Sequence, residues 1–351
     1  MSTYDGIADL PLTIESYEVE GRARHFSGFS RLTTTFHLHG GGEAGMGEDV
    51  TYDSGAQQRQ IDAGPVLPLA GEYTVRTFSD HLATLDLFHG GAQAYPGQSG
   101  YRVWGVESAA LDLALRQAGR PLHEALGREA RPLRFVASIR ISGPEPVAER
   151  IAAYPGARFK LDPEPGWSPE LIDALVATGA VDVMDFKGLY KDTPVDVDTD
   201  PELYRVIAER FPSAWLEDPD LTVPEADAAL EPHRDRITWD AAIHSVQDVL
   251  DRPFAPKALN CKPSRFGTIE SLFDFYDHCE REGIGLYGGG QSELGVGRGQ
   301  IQLLAAIFHP DGSNDVAPSG WDHEEWPRTG LPTSPLDPAP AATGFRRRDD
   351  A

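Results

Sequence analysis

Ser168-Pro-Glu-Leu-Ile-Asp-Ala-Leu-Val-Ala-Thr-Gly-Ala-Val-Asp-Val-Met-Asp-Phe186 contains one complete helix-to-strand unit. Ser168 is a helix N-cap, Pro169 suits the first helical position, and Leu171, Ile172, Leu175 and Val176 fall at helical spacing. Gly179 stops the helix, and Val181 to Phe186 reads at once as a short strand. A helix flowing directly into a strand of this kind predicts parallel strands covered by helices.

The same rhythm extends in both directions. Upstream lie strands Arg134-Phe-Val-Ala-Ser-Ile-Arg-Ile141 and Ala157-Arg-Phe-Lys-Leu-Asp162, with a helix around 147–153 between them. Downstream come a helix opened by Pro201, strand Ala214-Trp-Leu-Glu217, strand Ile237-Thr-Trp-Asp240, a brief helix at 245–250 and strand Ala258-Leu-Asn-Cys-Lys262. A helix capped by Thr268 and ended by Gly283, strand Ile284-Gly-Leu-Tyr287, a helix over 300–308 and a weak eighth strand at 315–317 complete the series. Eight strands and seven helices predict a closed (β/α)8-type barrel over residues 131–320.

Residues 1–130 break this rhythm. Tyr17 to Arg24 and Leu32 to Leu38 alternate like antiparallel strands, and Val106 to Arg116 reads as a helix, so a separate α+β unit is expected. Glu43-Ala-Gly-Met-Gly-Glu-Asp49 reads as a mobile lid or a surface turn. Residues 321–351 read as an irregular segment returning to that unit.

The chain has 351 residues with 31 Lys+Arg against 55 Asp+Glu, a net charge of −24. Such a field repels phosphate backbones and anionic membrane surfaces, so nucleic acid and membrane are not expected as partners. Two cysteines, Cys261 and Cys279, build neither a disulfide framework nor a Cys-rich zinc site. With no basic, apolar leader and no run approaching 18 apolar residues, a soluble cytoplasmic protein is expected.

Charged residues recur at the C-terminal ends of successive strands: Lys160, Asp185, Glu217, Asp240 and Lys262. Their gaps of 25, 32, 23 and 22 residues approach one strand-helix unit. Burying charge there is costly unless the groups pair or bind a metal. Asp185, Glu217 and Asp240 together offer an oxygen cage for Mg²⁺, with Mn²⁺ as the alternative, and the flanking lysines would face a substrate held on the ion. That layout suits proton abstraction beside a carboxylate.

The ordered segments Phe159-Lys-Leu-Asp162, Asp185-Phe-Lys187, Trp215-Leu-Glu-Asp-Pro219, Trp239-Asp240, Asn260-Cys-Lys-Pro-Ser-Arg265 and Gly288-Gly-Gly-Gln-Ser-Glu-Leu-Gly-Val-Gly-Arg298 resemble the enolase superfamily. They are most similar to its muconate-lactonizing branch, with o-succinylbenzoate synthases, N-acylamino acid racemases and dipeptide epimerases. The resemblance implies an N-terminal capping domain on a modified (β/α)7β barrel. It also implies removal of the α-proton of a small carboxylate, with the enolate stabilised by Mg²⁺ on Asp185, Glu217 and Asp240. Lys262 maps to the strand-six lysine and Glu293 to the strand-seven glutamate, and homo-oligomers are common in such a family.

The chain departs from the family on strand two. The branch carries Lys-x-Lys, whereas this chain reads Lys160-Leu-Asp162, and Lys187 stands where Asn is usual. Strand period two turns Asp185 and Lys187 to one side, so Asp162 and Lys187 are expected to meet. Two readings stay open: an amine moved to strand three, or a salt bridge in a repurposed, catalytically silent site.

Other motifs carry less. His37-Leu-His39 is read as two strand histidines rather than a metal pair. His39-Gly-Gly-Gly42 mimics a lipase oxyanion loop, but without Gly-x-Ser-x-Gly a serine hydrolase is excluded. Gly288 to Gly290 is expected to let strand seven turn toward Glu293.

Overall fold

The computed structural model describes residues 2–350 apart from 27–28, 96, 192, 194 and 324. Its first part is built on three antiparallel strands, β2 (Ser16–Phe26), β3 (Phe29–Gly40) and β4 (Glu43–Asp49), in the order β2-β3-β4. A ribbon of β1 (Pro11–Ile14) with β5 (Gly71–Thr74) lies beside them, together with helices α1 (Ser54–Ala63), α2 (Val75–Leu82) and α3 (Gln98–Gln117). A short helix, α4 (Leu122–Ala125), leads out of this unit.

The segment 43–49 is thus strand β4, at the edge of this sheet and packed on α3, not a lid or a surface turn. Its glycines admit α3: a Cβ at Gly45 would lie 2.2 Å from the Ala109 carbonyl oxygen, and one at Gly47 2.1 Å from that of Gly105. The two backbones touch because neither strand position carries a side chain. Helix α3 also begins eight residues before the expected Val106, and its Ala109, Ala110, Leu113 and Ala114 are buried as the spacing predicts.

The second part alternates parallel strands and helices. In order these are β6 (Ala137–Ile139), α5 (Glu145–Ala153), β7 (Phe159–Leu161), α6 (Pro169–Thr178), β8 (Val181–Asp185), α7 (Pro201–Arg210), β9 (Trp215–Glu217) and α8 (Pro224–Leu230). Next come β10 (Ile237–Thr238), α9 (Val246–Leu250), β11 (Ala258–Cys261), α10 (Ile269–Glu282), β12 (Gly285–Gly288) and α11 (Val296–Phe308). Capping follows the sequence closely: Ser168 accepts from the Leu171 N–H, Thr268 from the Ser271 N–H, and Gly179 and Gly283 end their helices in the left-handed conformation.

The strands form a five-stranded parallel sheet, β10-β9-β8-β7-β6, and a parallel pair, β11-β12. Single backbone hydrogen bonds span the gaps: Asn260 N–H to Trp239 O (3.1 Å), Asp315 N–H to Gly288 O (2.7 Å) and Val136 N–H to Asn314 O (2.9 Å). No strand forms at 315–317. There the Asn314 side chain takes the Gly288 N–H (2.6 Å) and donates to the Arg134 carbonyl (2.8 Å), replacing ladder bonds. The first strand is also shorter than 134–141, because Leu133 and Phe135 bond Leu336 and Ser334 instead.

The C-terminal segment comes back to α3. Asp112, fully buried, accepts from the N–H groups of Met46 (2.9 Å) and Phe345 (2.6 Å) and pairs with Arg346 (2.8 Å). Cys261 and Cys279 are buried free thiols, and no helix among the described residues is long and apolar enough to cross a membrane.

Glu107 on α3 joins the two parts, accepting from Ser79 Oγ (2.6 Å) and from the Ile269 N–H that opens α10 (2.8 Å). Burial pushes its carboxyl from 4.5 up to about 7. The folded value lies above the unfolded one, so this contribution is complete below about pH 4.5 and is lost as pH rises through 7, about 3 kcal/mol in all. Glu107→Gln is expected to raise the melting temperature relative to the unmodified chain at pH 8 but not at pH 5. An identical difference at both pH values would show the carboxyl ionised throughout.

Candidate active site

Strand register decides which charged side chains meet. Leu161 pairs with Met184 and Asp185 pairs with Glu217, so Asp162, Asp185 and Glu217 stand level at the C-terminal ends of β7, β8 and β9. Glu217 pairs with Thr238, so Asp240 stands two residues, roughly 6–7 Å, further along. Lys160 pairs with Val183 and sits two residues lower, its long stem reaching up.

Asp185, Glu217 and Asp218, all buried, present carboxylate oxygens within 4.8 Å of one another. Asp240, read from spacing as the third member, faces Lys262 (2.7 Å), Arg265 (2.6 Å) and the Tyr190 hydroxyl (2.7 Å). Asp218 takes the backbone N–H groups of Asp240 and Ala241, each at 2.8 Å, and so fixes the turn that carries Asp240. Asp218 lies inside a quoted motif, but only the register reveals its place.

The Lys160 ammonium is buried between Asp185 (2.9 Å) and Glu217 (2.5 Å), with Asp315 at 3.7 Å. Lys187 bonds Asp185 and stands 3.8 Å from Asp162, which Arg140 also holds at 3.2 Å. Asp162 and Lys187 therefore meet on the same side. Glu293 lies apart from this cluster, paired with Arg298 (3.1 Å) on the wall of a neighbouring cavity. Glu217 has two further partners, the Tyr287 hydroxyl (2.7 Å) and the Asn260 amide (3.2 Å).

These contacts set the charge states. Burial would push the Asp185 carboxyl up, but the Lys160 and Lys187 ammonium groups outweigh it and hold it well below the usual carboxylate range. For Asp240, Arg265 and Lys262 likewise outweigh burial. Burial pushes Glu217 up to about 8 despite Lys160, and Asp218 up to about 7 with added repulsion from Asp240. Burial also opposes the charge on Lys160 and Lys187, yet the facing carboxylates win and keep both protonated.

Two non-glycine residues here adopt left-handed backbone, Lys187 (φ 55°) and Asp218 (φ 47°). Such strain, of order 1–3 kcal/mol per residue, gathers at functional sites. Gly289 has a different role from the expected turn: its Cβ would lie 2.6 Å from Asn260 Oδ1 and 2.8 Å from Lys262 Cε. The bare backbone makes room for the Lys262 stem. His37 and His39 stay on β3, with His37 3.3 Å from Glu20.

A buried set of hard oxygen donors is the chemistry that suits a divalent cation such as Mg²⁺. Asp185 and Glu217 would hold it, with Asp218 or Asp240 as the third carboxylate.

The family model described as "Domain of unknown function (DUF8230) C-terminal domain" matches residues 129–323, and the corresponding N-terminal domain matches residues 5–125. An o-succinylbenzoate synthase of Geobacillus kaustophilus is 27% identical over 62% of this chain, and the match spans 60% of that relative's length. Among solved structures, a member of the enolase superfamily from Listeria innocua Clip11262 has a TM-score of 0.64 at 17% identity, covering 90% of this chain and 88% of that one. Muconate cycloisomerase from Pseudomonas fluorescens has a TM-score of 0.62 at 19% identity, covering 87% of each chain. These likenesses bear out the resemblance to the enolase superfamily at the level of the fold.

Proposed function

We propose that this chain, which belongs to the DUF8230 family, is a Mg²⁺-dependent lyase or isomerase that removes the α-proton of a small carboxylate. The reading takes residues 1–130 as a capping domain and 131–320 as one (β/α)7β-type barrel, with 321–351 returning to the cap. The observation that carries it is the buried carboxylate cluster ringed by Lys160, Lys187 and Lys262 at the strand ends. A divalent cation there supplies positive charge against which a substrate carboxylate becomes acidic at its α-carbon.

The side chains divide the remaining work. Lys262, on the β11 side, takes the proton; Lys187, held protonated by Asp162 and Asp185 on the opposite side, returns or delivers one. Lys160 fixes the spacing of Asp185 and Glu217. Two opposed amines suit racemisation or epimerisation, whereas Lys262 alone suits elimination.

One observation favours a second reading, a silent descendant that binds ligand without turnover: Asp185, Glu217 and Asp240 already have ammonium partners. Calorimetry with Mg²⁺ on chelator-treated protein, followed by a D₂O exchange screen of small carboxylic acids, separates the two. Metal binding with α-proton exchange is expected, and Asp185→Asn is expected to weaken binding at least tenfold. Whichever of Asp218→Asn and Asp240→Asn weakens it comparably identifies the third ligand. No Mg²⁺ binding at millimolar concentration, with no exchange, would leave the silent reading.

A further inference from the structure

Residues 187–190, just beyond β8, form a tight turn. Lys187 is left-handed (φ 55°), its N–H bonds the Asp185 carboxylate (3.1 Å), and the Tyr190 N–H closes the turn on the Lys187 carbonyl (3.2 Å). Gly188 seats this turn on the end of β9. Its N–H bonds the Asp218 carbonyl (2.9 Å), and a Cβ there would lie 2.6 Å from the Asp220 nitrogen and 2.8 Å from the Tyr204 hydroxyl.

From that seat the Tyr190 side chain touches both sides of the carboxylate cluster. The Lys187 ammonium lies over its ring, 5.2 Å from the centre, within the range in which an aromatic face attracts a cation. The hydroxyl donates to Asp240 (2.7 Å), the carboxylate that Lys262 also bonds, and accepts from Arg265 (3.2 Å). A phenol has one proton to give and lone pairs to receive with, so the carboxylate and the guanidinium engage it in both senses. The ring is thereby tethered beside the ammonium.

Holding down the 186–200 connection does not require this tyrosine. Asp220, beyond β9, already ties it through Lys191 (3.2 Å) and the Thr199 hydroxyl (3.2 Å). Lys187, by contrast, needs a direction. Its side chain is 14% exposed where that of Lys160 is 1%, so it is the amine of the two that faces the opening. An ammonium has three donors; Asp185 takes one and Asp162 stands at 3.8 Å, so the ring limits where the remaining donor is aimed.

We propose that Tyr190 is a positioning residue for Lys187: its ring aims the ammonium at the space above the carboxylates, and its hydroxyl, anchored on Asp240, holds the ring there. This rests on the proton-delivering role given to Lys187 above. Asp240 keeps Lys262 and Arg265 whatever stands at position 190, so the Lys262 face does not depend on the ring. Loss of Tyr190 therefore acts on one face of the substrate and spares the other.

The test compares Tyr190→Leu and Tyr190→Phe with the parent as full chains. Reductive methylation with formaldehyde and a borohydride, read by mass spectrometry, gives the ratio of modification at Lys187 to that at Lys262 and needs no substrate. Tyr190→Leu is expected to raise this ratio at least about threefold, because the ammonium loses the ring that attracts and covers it. Tyr190→Phe, which keeps the ring without its anchor, is expected to fall between Tyr190→Leu and the parent, and it carries the comparison if Tyr190→Leu fails to fold. On the two enantiomers of an acid active in the D₂O screen, Tyr190→Leu is expected to slow exchange at the Lys187 face at least about tenfold more than at the Lys262 face. Lys187→Met and Lys262→Met tell the faces apart. A ratio unchanged in both variants, or equal slowing at the two faces, is what packing alone gives and overturns the proposal. A shifted ratio without exchange on any acid keeps Tyr190 as the residue that orients Lys187 and removes the reaction. Exchange with ratio and face selectivity both unchanged keeps the reaction and removes the role of Tyr190.

Discussion

Lys262→Met is expected to lower α-proton exchange by about 10² to 10⁴, the usual contribution of a positioned acid or base, while Mg²⁺ still binds. Methionine retains most of the stem volume, so the fit against Gly289 survives and only the amine is lost. Asp240 keeps Arg265 at 2.6 Å and the Tyr190 hydroxyl, so its charge stays compensated in the variant. Exchange measured by NMR in D₂O on any acid found active in the screen decides it. A variant within tenfold of the parent would move the acid/base role elsewhere, with Lys187 the first group to examine.

Lys160→Met acts on stability before it acts on chemistry. Its ammonium is the buried cation between Asp185 and Glu217; without it Asp185 keeps only Lys187 and Glu217 loses the ammonium bonded to it, at a cost of up to about 3–5 kcal/mol. In chelator the variant is expected to melt several degrees below the parent. Added Mg²⁺ is expected to recover more of the melting temperature in the variant than in the parent, because the ion no longer competes with an internal ammonium. Calorimetric scans with and without metal give both quantities; an unchanged melting temperature in chelator would show that Lys160 does not compensate the pair.

The chemistry of the strand ends was legible because each strand is short and punctuated. Ser168, Pro169 and Gly179 bracket α6 as read, and Asp185 then falls at the end of β8. Register was not legible: the gap between Glu217 and Asp240 looks like a regular repeat, yet the turn anchored by Asp218 carries Asp240 two residues past the level of Glu217. Spacing along a chain does not report how neighbouring strands are offset. The lid reading of 43–49 missed for a different reason, since glycines that signal a turn in isolation serve here as the contact surface for α3. No local pattern distinguishes these two uses, because the second depends on a helix some sixty residues away.

The return of residues 345–346 to Asp112 places a condition on how the chain is made. Asp112 is buried in α3, yet its partner Phe345 follows it by 233 residues. At translation rates of about 5–20 residues per second, roughly ten to fifty seconds separate the emergence of the carboxylate from that of Phe345 and Arg346, its partners in the returning segment. Throughout that interval Asp112 has Arg116, four residues on in α3 and 3.4 Å away, as its guanidinium partner, so the nascent N-terminal unit packs α3 against β4 with half of the final charge compensation until the later segment arrives.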